Sequence, residues 1–383
     1  MSAAFQPEPV DFSPFSEGLA LQAPARYPRR ATRQVRVGSV PVGGGAPISV
    51  QSMTKTDTRD VQATVEQIWA LEAAGCEIVR IAVPDAEAAA AVPKIRAQIR
   101  IPLVVDIHFD YRLALSCLEA GVDCLRINPG NIGPTWRVQE VTKAAADRRV
   151  PIRIGVNAGS LEKHLLQRFG APTPEALVES ALFHIRILEE LHYPEMKISL
   201  KSSDPRTMIE AYRLLAEKVP YPFHLGVTEA GTAFTGAIKS AVGIGTLLAE
   251  GIGDTIRVSL TEDSTEEVRA GFEILKALGL RSRGLNIIAC PSCGRVEIDL
   301  VGLTKEVERR LQGLGIRRPL TVAVMGCAVN GPGEARGADI GIAGGNGVGL
   351  LIKQGQIVRK VKESELADVL VEEVRQLARG ADA

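Results

Sequence analysis

The sequence is short of aromatic residues and has no long apolar run, and each shortage excludes a class of protein. Aromatic side chains make up only 4% of its 383 residues, so a large core must be built from aliphatic side chains. No stretch approaches the roughly 18 apolar residues of a membrane-spanning helix, and no basic segment followed by an apolar one stands at the N-terminus. We therefore expect a cytoplasmic protein that does not act in a membrane.

The sequence also lacks an excess of either charge, and it has few cysteines. Lys and Arg together number 45, as do Asp and Glu, so no broad basic surface is expected to bind nucleic acid. Six cysteines are too few for a disulfide scaffold in a chain of this length. Cys76, Cys117 and Cys124 lie among apolar residues and are expected to be core side chains. The other three are candidates for metal ligation or catalysis.

An aliphatic strand, a polar loop and an amphipathic helix recur eight times along the chain, which is typical of parallel βα units. Eight such units predict a closed TIM (β/α)8 barrel, because no Gly-x-Gly-x-x-Gly motif follows the first strand as in an open dinucleotide-binding sheet. A Gly-rich hairpin precedes the first unit, and a Pro-rich segment without periodicity precedes the hairpin. The predicted strands centre on 48–53, 78–83, 103–108, 124–128, 152–157, 197–202, 224–229 and 256–260.

The sequence after the eighth unit differs in pattern from the barrel. It predicts a helix over 296–313, strands over 320–326, 338–343 and 348–361, and a final helix. We therefore predict an α/β protein in three parts. These are a flexible tail over 1–33, a substrate-binding TIM barrel over 34–283 and a small α/β cluster-binding domain over 284–383.

Cationic side chains recur near the carboxyl ends of the predicted strands, where TIM barrels bind their substrates. Residues two apart share one face of a strand, as Lys197 and Lys201 do. Several cations brought together are costly to bury unless an anion accepts their hydrogen bonds, so we expect a ligand with several negative charges. The alternative is internal pairing with Asp57, Asp60, Asp106 and Glu229 as barrel salt bridges. The polar residues in this pattern are Arg59, Arg80, Asp106, His108, Arg126, Asn128, Arg153, Asn157, Lys197, Lys201, Arg257 and Ser259.

Two side chains at the predicted mouth are suited to proton transfer. Glu229 ends the seventh strand in Val-Thr-Glu-Ala-Gly and is our choice for the acid/base group. His108, in Asp-Ile-His-Phe-Asp, is either a proton donor, an orienting group or a structural hydrogen-bonding residue.

Three cysteines fall in the last predicted domain: Cys290 and Cys293 in Cys-Pro-Ser-Cys, and Cys327 in Met-Gly-Cys. Two-residue spacing lets both thiolates reach one metal or cluster, and a third closes the site from another element. Structural zinc would need a fourth Cys or His, which this domain lacks. A thioredoxin-like pair would need no third cysteine. The pattern favours an iron–sulfur cluster with one iron left for an oxygen ligand, and Glu334 is well placed to supply it.

The chain resembles the 4-hydroxy-3-methylbut-2-enyl diphosphate synthase family of non-mevalonate isoprenoid biosynthesis. The resemblance runs from about 35 to 380 and includes the motifs QSMTKTDTRD, DIHFD, LRINPGN, RIGVNAGSLE, LKSSD, GVTEAG, CPSCGR and GCAVNGPGE. It implies reductive ring opening and dehydration of 2-C-methyl-D-erythritol 2,4-cyclodiphosphate with two external electrons. It also implies a homodimer in which one subunit's cluster domain caps the other's barrel, with flavodoxin or ferredoxin as the electron donor.

The same resemblance implies roles for individual residues. A 4Fe-4S cluster would be held by Cys290, Cys293, Cys327 and Glu334, with Glu334 also taking part in catalysis. Glu229 would be the acid/base group. The substrate contacts would be Arg59, Arg126, Asn157, Lys201, Arg257, Ser259 and Asn330.

Two hypotheses from other functional classes stay open at this point. One is an iron–sulfur electron carrier or sensor in which the barrel is only scaffold, and the cation-lined mouth argues against it. The other is a pterin- or phosphate-binding barrel transferase whose last domain is structural, since one fold serves many chemistries. Steady turnover without a reductant would favour the transferase.

Overall fold

The computed structural model describes residues 28–316 and 318–379 of the protein. These residues form two compact units, the first ending at Arg281 and the second beginning at Ser282. None of the helices in these two ranges combines the length and the apolar character that crossing a lipid bilayer requires.

The first unit is a closed parallel barrel preceded by a hairpin, as the sequence predicted. The hairpin consists of β1 (Val35–Val37) and β2 (Val40–Val42). The barrel strands are β3 (Ser49–Met53), β4 (Ile78–Val83), β5 (Leu103–Ile107), β6 (Cys124–Ile127), β7 (Ile152–Asn157), β8 (Met196–Lys201), β9 (His224–Leu225) and β10 (Thr255–Ile256). They pair in the order β8-β7-β6-β5-β4-β3-β10-β9, and a parallel bridge between Ile198 and Phe223 joins the two ends of this order.

Aspartate is the recurrent N-cap of the helices that surround the barrel. Asp60, Asp85, Asp110, Asp204 and Asp263 each accept a hydrogen bond from a backbone N–H of the first helical turn, which satisfies a donor that the helix leaves free. The helices are α1 (Val61–Ala74), α2 (Ala86–Arg96), α3 (Tyr111–Glu119), α4 (Pro129–Ile132), α5 (Thr135–Arg148), α6 (Lys163–Phe169), α7 (Pro174–Glu190), α8 (Pro205–Ala216), α9 (Ala233–Ala249) and α10 (Ser264–Ala277).

Two apolar clusters hold the barrel together. The larger lies between strands and helices and includes Cys76 and Cys117, while the smaller places the hairpin against the lower end of the barrel and includes Cys124. All three thiols are buried, as the sequence predicted, and burial raises the pKa of both Cys76 and Cys117 to about 12. They are therefore core side chains rather than reactive groups.

The last six residues of the predicted tail, 28–33, bind the barrel in the structure. The Arg30 guanidinium donates to the backbone oxygens of Val219 at 2.6 Å and Tyr221 at 2.5 Å, and it lies 4.0 Å from the centre of the Phe223 ring. The Arg30 backbone N–H donates to Gly251. The rest of the predicted tail, residues 1–27, lies outside the described residues.

The second unit is a five-stranded sheet with helices α11 (Leu300–Gln312) and α13 (Leu366–Arg379) packed on one face. The short helix α12 (Gly331–Glu334) follows the second strand. Neighbouring strands pair in chain order, the first three in parallel and the last three antiparallel. The strands are β11 (Leu285–Ala289), β12 (Leu320–Met325), β13 (Ile340–Ala343), β14 (Val348–Lys353) and β15 (Gln356–Lys362).

Several predicted boundaries were wrong, each for a local reason. The single strand predicted over 348–361 is the hairpin β14–β15, because Gln354 and Gly355 both have positive φ and reverse the chain. Helix α11 begins at Leu300 rather than 296, because Asp299 caps it. Strand β11 was missed. The seventh and eighth barrel strands are only two residues long, although a backbone hydrogen bond from Arg257 to Leu225 still joins them further on.

Candidate functional site

A row of charged side chains crosses the barrel interior. Asp106 on β5, Arg126 on β6, Arg153 on β7 and Lys197 on β8 are successive neighbours across the paired strands. Directly paired residues of parallel strands point to the same face of the sheet, so the register alone brings the four charges together. All four are buried, with Arg153 only 1% exposed. The interior therefore holds charges that must find partners or a ligand.

Asp106 forms ion pairs with two of the interior cations, Arg126 and Arg80. Its side chain lies 2.8 Å from Arg126 Nη1 and 3.8 Å from Arg80 Nε. Burial opposes ionisation of Asp106, but Arg126 and Arg80 outweigh it and hold the pKa of the carboxyl well below its usual range. His108 lies within hydrogen-bond distance of Arg126 and of Asn131, 2.9 Å from each. The alternative of internal salt bridges thus holds for Asp106, and the contacts of His108 are those of an orienting residue.

Asp106 does not satisfy every cation in this interior. Among the described residues, the buried nitrogens without a hydrogen-bond partner include Lys201 Nζ, Lys197 Nζ, Arg126 Nε and Arg257 Nε. Burial, and the neighbouring cations Arg257 and Arg153, lower the pKa of Lys201 well below its ordinary value. Such groups are costly to bury unless an acceptor meets them. A ligand with several negatively charged oxygens would supply the missing acceptors.

Two glycines make room for these cations in the interior. A Cβ atom at Gly155 would lie 2.3 Å from Arg126 Nε, and one at Gly226 would lie 2.7 Å from Lys201 Nζ and 2.5 Å from the backbone oxygen of Arg257. A side chain at either glycine would therefore force these neighbouring atoms to move. The two glycines therefore determine where Arg126 and Lys201 place their nitrogens.

Substituting Gly155 by alanine is expected to weaken substrate binding. The new methyl group would displace the Arg126 guanidinium from its contacts with Asp106 and with the Gly155 backbone oxygen. We expect KM for the anionic substrate to rise by about tenfold or more, the cost of one misplaced charge-assisted hydrogen bond. Steady-state kinetics would measure this change. Gly245→Ala is the matched control, because nothing lies within 4 Å of a Cβ there; equal KM values for both variants would contradict the expectation.

The structure brings together part of the predicted substrate-binding set. Asn157 and Lys201 are direct neighbours on β7 and β8, and with its amide oriented to satisfy both partners Asn157 accepts from Arg126 Nη2 at 3.2 Å. Arg257 and Lys201 both border Gly226. Ser259, two residues after Arg257, is half-buried. Arg126, Asn157, Lys201 and Arg257 therefore form one group at the carboxyl ends of the strands.

Two predicted residues lie further out on the first unit. Arg59 is exposed, and its guanidinium is bound by Asp57 at 2.7 Å and lies 3.5 Å from Asp85. Glu229 is also exposed. Its backbone has a φ of 53°, a left-handed conformation that costs energy in a non-glycine residue and is concentrated at functional sites. The acid/base role of Glu229 therefore stays a prediction.

Glu267 is a buried carboxylate that the sequence did not single out. It accepts hydrogen bonds from Ser52 Oγ at 2.9 Å and from the Leu260 backbone at 3.1 Å, and it lies 3.6 Å from Arg257 Nη2. The Glu267 carboxylate therefore pairs with the Arg257 guanidinium from the side of helix α10. Its position in helix α10, within the acid-rich run Thr-Glu-Asp-Ser-Thr-Glu-Glu, carried no signal that separates it from exposed neighbours.

His224 is a second buried residue that the sequence did not single out. It is the first residue of β9 and lies in the barrel interior near the amino-terminal ends of the strands. It is fully buried, and among the described residues neither ring nitrogen has a hydrogen-bond partner. Burial, then the nearby charges of Arg153 and Lys201, hold the pKa of His224 well below its usual range. His224 is therefore neutral and adds no further positive charge.

Lys197 gives the folded protein a distinctive pH dependence. Burial lowers the pKa of Lys197 to about 8 from its ordinary 10.5. The unfolded chain holds this proton to higher pH than the folded protein, so the free energy of unfolding rises from about pH 8 to about pH 10. We expect Lys197→Met to raise the free energy of unfolding by about 3 kcal/mol at neutral pH and by little above about pH 10. Urea unfolding across this range would measure it, and a gain that is constant with pH would contradict the titration of Lys197.

The second unit places two of the predicted cysteine ligands at adjacent strand ends. Cys290 follows β11 and Cys327 lies two residues after β12, and these strands pair in parallel. The Gly326 backbone N–H donates to Cys290 Sγ at 3.3 Å. Backbone hydrogen bonds from Asn330, and then from Val329 and Gly331, lower the pKa of Cys327 against a smaller effect of burial. The hydrogen bonds around Cys327 favour its thiolate, which is the form that binds metals.

The other predicted groups of this unit are exposed at its surface. Cys293 is exposed, Glu334 is the last residue of α12, and Asn330 is the residue before that helix. Among residues 28–316 and 318–379, no three His, Cys, Asp or Glu side chains are grouped closely enough to hold a metal ion. The ligand set Cys290, Cys293, Cys327 and Glu334 and the substrate contact of Asn330 therefore stay predictions, with which the thiol chemistry of the two strand ends agrees.

Comparison with known proteins identifies similar sequences for both units. The chain matches the GcpE TIM-barrel domain over residues 32–272 and the GcpE protein C-terminal domain over residues 286–376. A relative from Geobacter sulfurreducens is 65% identical over 346 residues, which cover 90% of this chain and 98% of the relative. One from Symbiobacterium thermophilum is 65% identical over 350 residues, covering 91% and 94%. Both relatives are named 4-hydroxy-3-methylbut-2-en-1-yl diphosphate synthase (flavodoxin).

Proposed function

The chain belongs to the GcpE family, and from this membership we propose that it is an oxidoreductase of isoprenoid biosynthesis. It converts 2-C-methyl-D-erythritol 2,4-cyclodiphosphate into 4-hydroxy-3-methylbut-2-enyl diphosphate by reductive ring opening and loss of water. The observation that carries this proposal is the 65% identity with a synthase of that name over nearly the whole length of both chains. The buried cations of the barrel agree with a diphosphate substrate.

The barrel binds the substrate through its diphosphate in this proposal. Lys201 Nζ, Arg126 Nε and Arg257 Nε have no acceptor of their own among the described residues, so phosphate oxygens would satisfy groups that are otherwise desolvated at a cost. Asn157 and Ser259 would complete the hydrogen bonding from the same strand ends. Arg59 would join them only by leaving Asp57, which its exposed position allows because surface ion pairs are weak.

Proton transfer is assigned to Glu229. The reaction takes up two electrons, breaks a ring carbon–oxygen bond and releases one hydroxyl as water, so a proton has to reach the leaving oxygen. Glu229 follows β9 at the end of the barrel where the cations converge, and its carboxylate is exposed. It is therefore open to exchange protons with solvent and with a bound substrate.

The second unit holds a 4Fe-4S cluster in this proposal. Cys290, Cys293 and Cys327 would be its thiolate ligands, and Glu334 would provide an oxygen ligand. The backbone N–H groups around Cys327 lower its pKa and so favour the thiolate. When bound, such a cluster would pass the electrons of the external donor to the substrate.

The proposal includes partners and a location. The relatives' printed name points to flavodoxin as the electron donor, with ferredoxin as the alternative, and a homodimer would close each barrel with a second copy. The protein would act in the cytoplasm on a small molecule, without nucleic acid or membrane. That location suits its free thiols, which a reducing compartment preserves.

Anaerobic turnover tests the proposed function. Purified protein reconstituted with iron and sulfide is given the cyclic diphosphate and a reduced viologen, and the linear diphosphate is measured by chromatography. Product formation that requires the reductant supports the proposal. Steady turnover without reductant would favour the transferase hypothesis, and iron with no reaction would favour the electron carrier or sensor.

A further inference from the structure

The two long helices of the second unit cover one face of its sheet. Helices α11 and α13 pack on the face that presents Leu351 and Val361. The opposite face carries a small apolar cluster that includes Met325, Ala343 and Ile352, and residues of the turn Ala335–Gly337 cover part of it. Toward the last two strands this opposite face is open.

The open part has an apolar centre with lysines beside it. Across β14 and β15, Val348 pairs with Lys362 and Leu350 with Lys360, and Ile352 pairs with Ile357. Paired side chains lie on the same face of a sheet, so these residues share the opposite face with Ile352. Val348 is 46% exposed and Ile357 is 55% exposed. We call this surface the β14–β15 face, defined by Val348, Leu350, Ile357, Lys360 and Lys362.

The β14–β15 face adjoins the cysteine site of the same unit. Leu350 and Cys290 both pack against the small apolar cluster around Met325 and Ile352. Helix α12 and the turn Ala335–Gly337 cover the cluster near Met325 and Ala343, so the β14–β15 face begins beside this cover and shares its apolar border with Cys290 through Leu350.

The two lysines of the β14–β15 face lack a strong ion-pair partner among the described residues. Among the described residues Lys360 has no carboxylate within ion-pair distance, and Lys362 has only the exposed Glu365 at 3.9 Å, a contact of little energetic value. Arg336 lies next to the β14–β15 turn, where its side chain approaches Gly355, and is also exposed. An exposed apolar centre beside unpaired cations is complementary to an acidic surface.

We propose that the β14–β15 face is the docking surface for an acidic electron-transfer protein of the flavodoxin class. This inference rests on the proposed function, which requires such a donor. Electron-transfer encounters use small interfaces and form quickly and reversibly, and basic side chains at the rim of such an interface act mainly on the rate of association.

The test compares two reductants on the reconstituted full-length enzyme. In the variant Lys360→Glu/Lys362→Glu, KM for reduced flavodoxin is expected to rise at least tenfold at low salt, while turnover with reduced viologen stays unchanged. The wild-type KM for flavodoxin should rise with ionic strength, and that of the variant should not. Ile357→Ser, which removes the apolar centre without changing charge, should also raise KM for flavodoxin. Lys305→Glu is the matched control, because Lys305 is exposed on α11, across the sheet.

Three outcomes would overturn the proposal. An unchanged KM for flavodoxin in the variants would remove the β14–β15 face from docking. An equal loss with both reductants would indicate damage to the catalytic unit. A change of molar mass in light scattering would assign the face to a second copy of the chain. If the wild-type protein makes no product with viologen, the proposed function itself fails, and this result is distinct from the other three.

Discussion

The variant Lys201→Met is expected to be more stable than the wild-type protein and almost unable to bind its substrate. Lys201 is buried without a hydrogen-bond partner for its Nζ among the described residues, and burial and neighbouring cations disfavour its charged form. Methionine fills similar space without this cost, so the free energy of unfolding should rise by about 1–3 kcal/mol. A phosphate would lose a buried cationic partner, so KM should rise about 100-fold.

Lys197→Met separates the effect on stability from the effect on substrate binding. Lys197 is as buried as Lys201, but it lies at the amino-terminal end of β8, whereas Lys201 lies at the carboxyl end. Lys197 is paired across the strands with Arg153, and Lys201 with Asn157. Both variants are therefore expected to stabilise the protein in urea unfolding, and only Lys201→Met should raise KM. A similar KM increase in both would show that the positive charge of the whole interior binds the substrate. An unchanged KM in Lys201→Met would remove Lys201 from the binding site.

Cys327→Ala is expected to abolish activity by preventing cluster assembly. Backbone N–H groups lower the pKa of Cys327 and so favour its thiolate. Changes around a metal site commonly cost 10–100-fold, so the loss of a ligand should reduce turnover by more than about 100-fold. Iron and sulfide content together with the visible spectrum of anaerobically purified protein would measure the cluster directly.

The matched control is Cys117→Ala, which removes a thiol from the barrel core. Burial raises the pKa of Cys117 to about 12, so it is no thiolate and should not bind metal. The control is expected to lose at most about 1–2 kcal/mol of stability and to keep wild-type iron content and turnover. Full iron and sulfide content in Cys327→Ala would contradict the ligand assignment.

The barrel could be predicted because its strands carry strong local signals. The predicted strand over 152–157 coincides with β7, and those near 78–83 and 103–108 differ from β4 and β5 by at most one residue. The signal failed where the chain needs tertiary contacts. His224–Leu225 and Thr255–Ile256 are only two residues long, although the predicted strands extend to residues 229 and 260.

Individual residues of the site show the same division. Lys201 and Arg257 could be recognised from their positions near the ends of strands, because the fold places all such positions at one end of the barrel. Glu267 could not, since it comes from the helix after the last strand and reaches Arg257 only in the closed barrel. Likewise, nothing in the sequence around Gly155 and Gly226 indicates that these glycines make room for Arg126 and Lys201.

The order of residues along the chain was enough to establish the fold class, the family and the types of side chain available for chemistry. Periodicity, turn residues and motifs are local properties, and they survive without knowledge of the folded state. The folded chain alone established which cations lack partners, because burial and hydrogen bonding depend on residues far apart in sequence. Asp106 satisfies Arg126 and approaches Arg80, whereas Lys201 is left without an acceptor among the described residues; strand register and barrel closure make that difference.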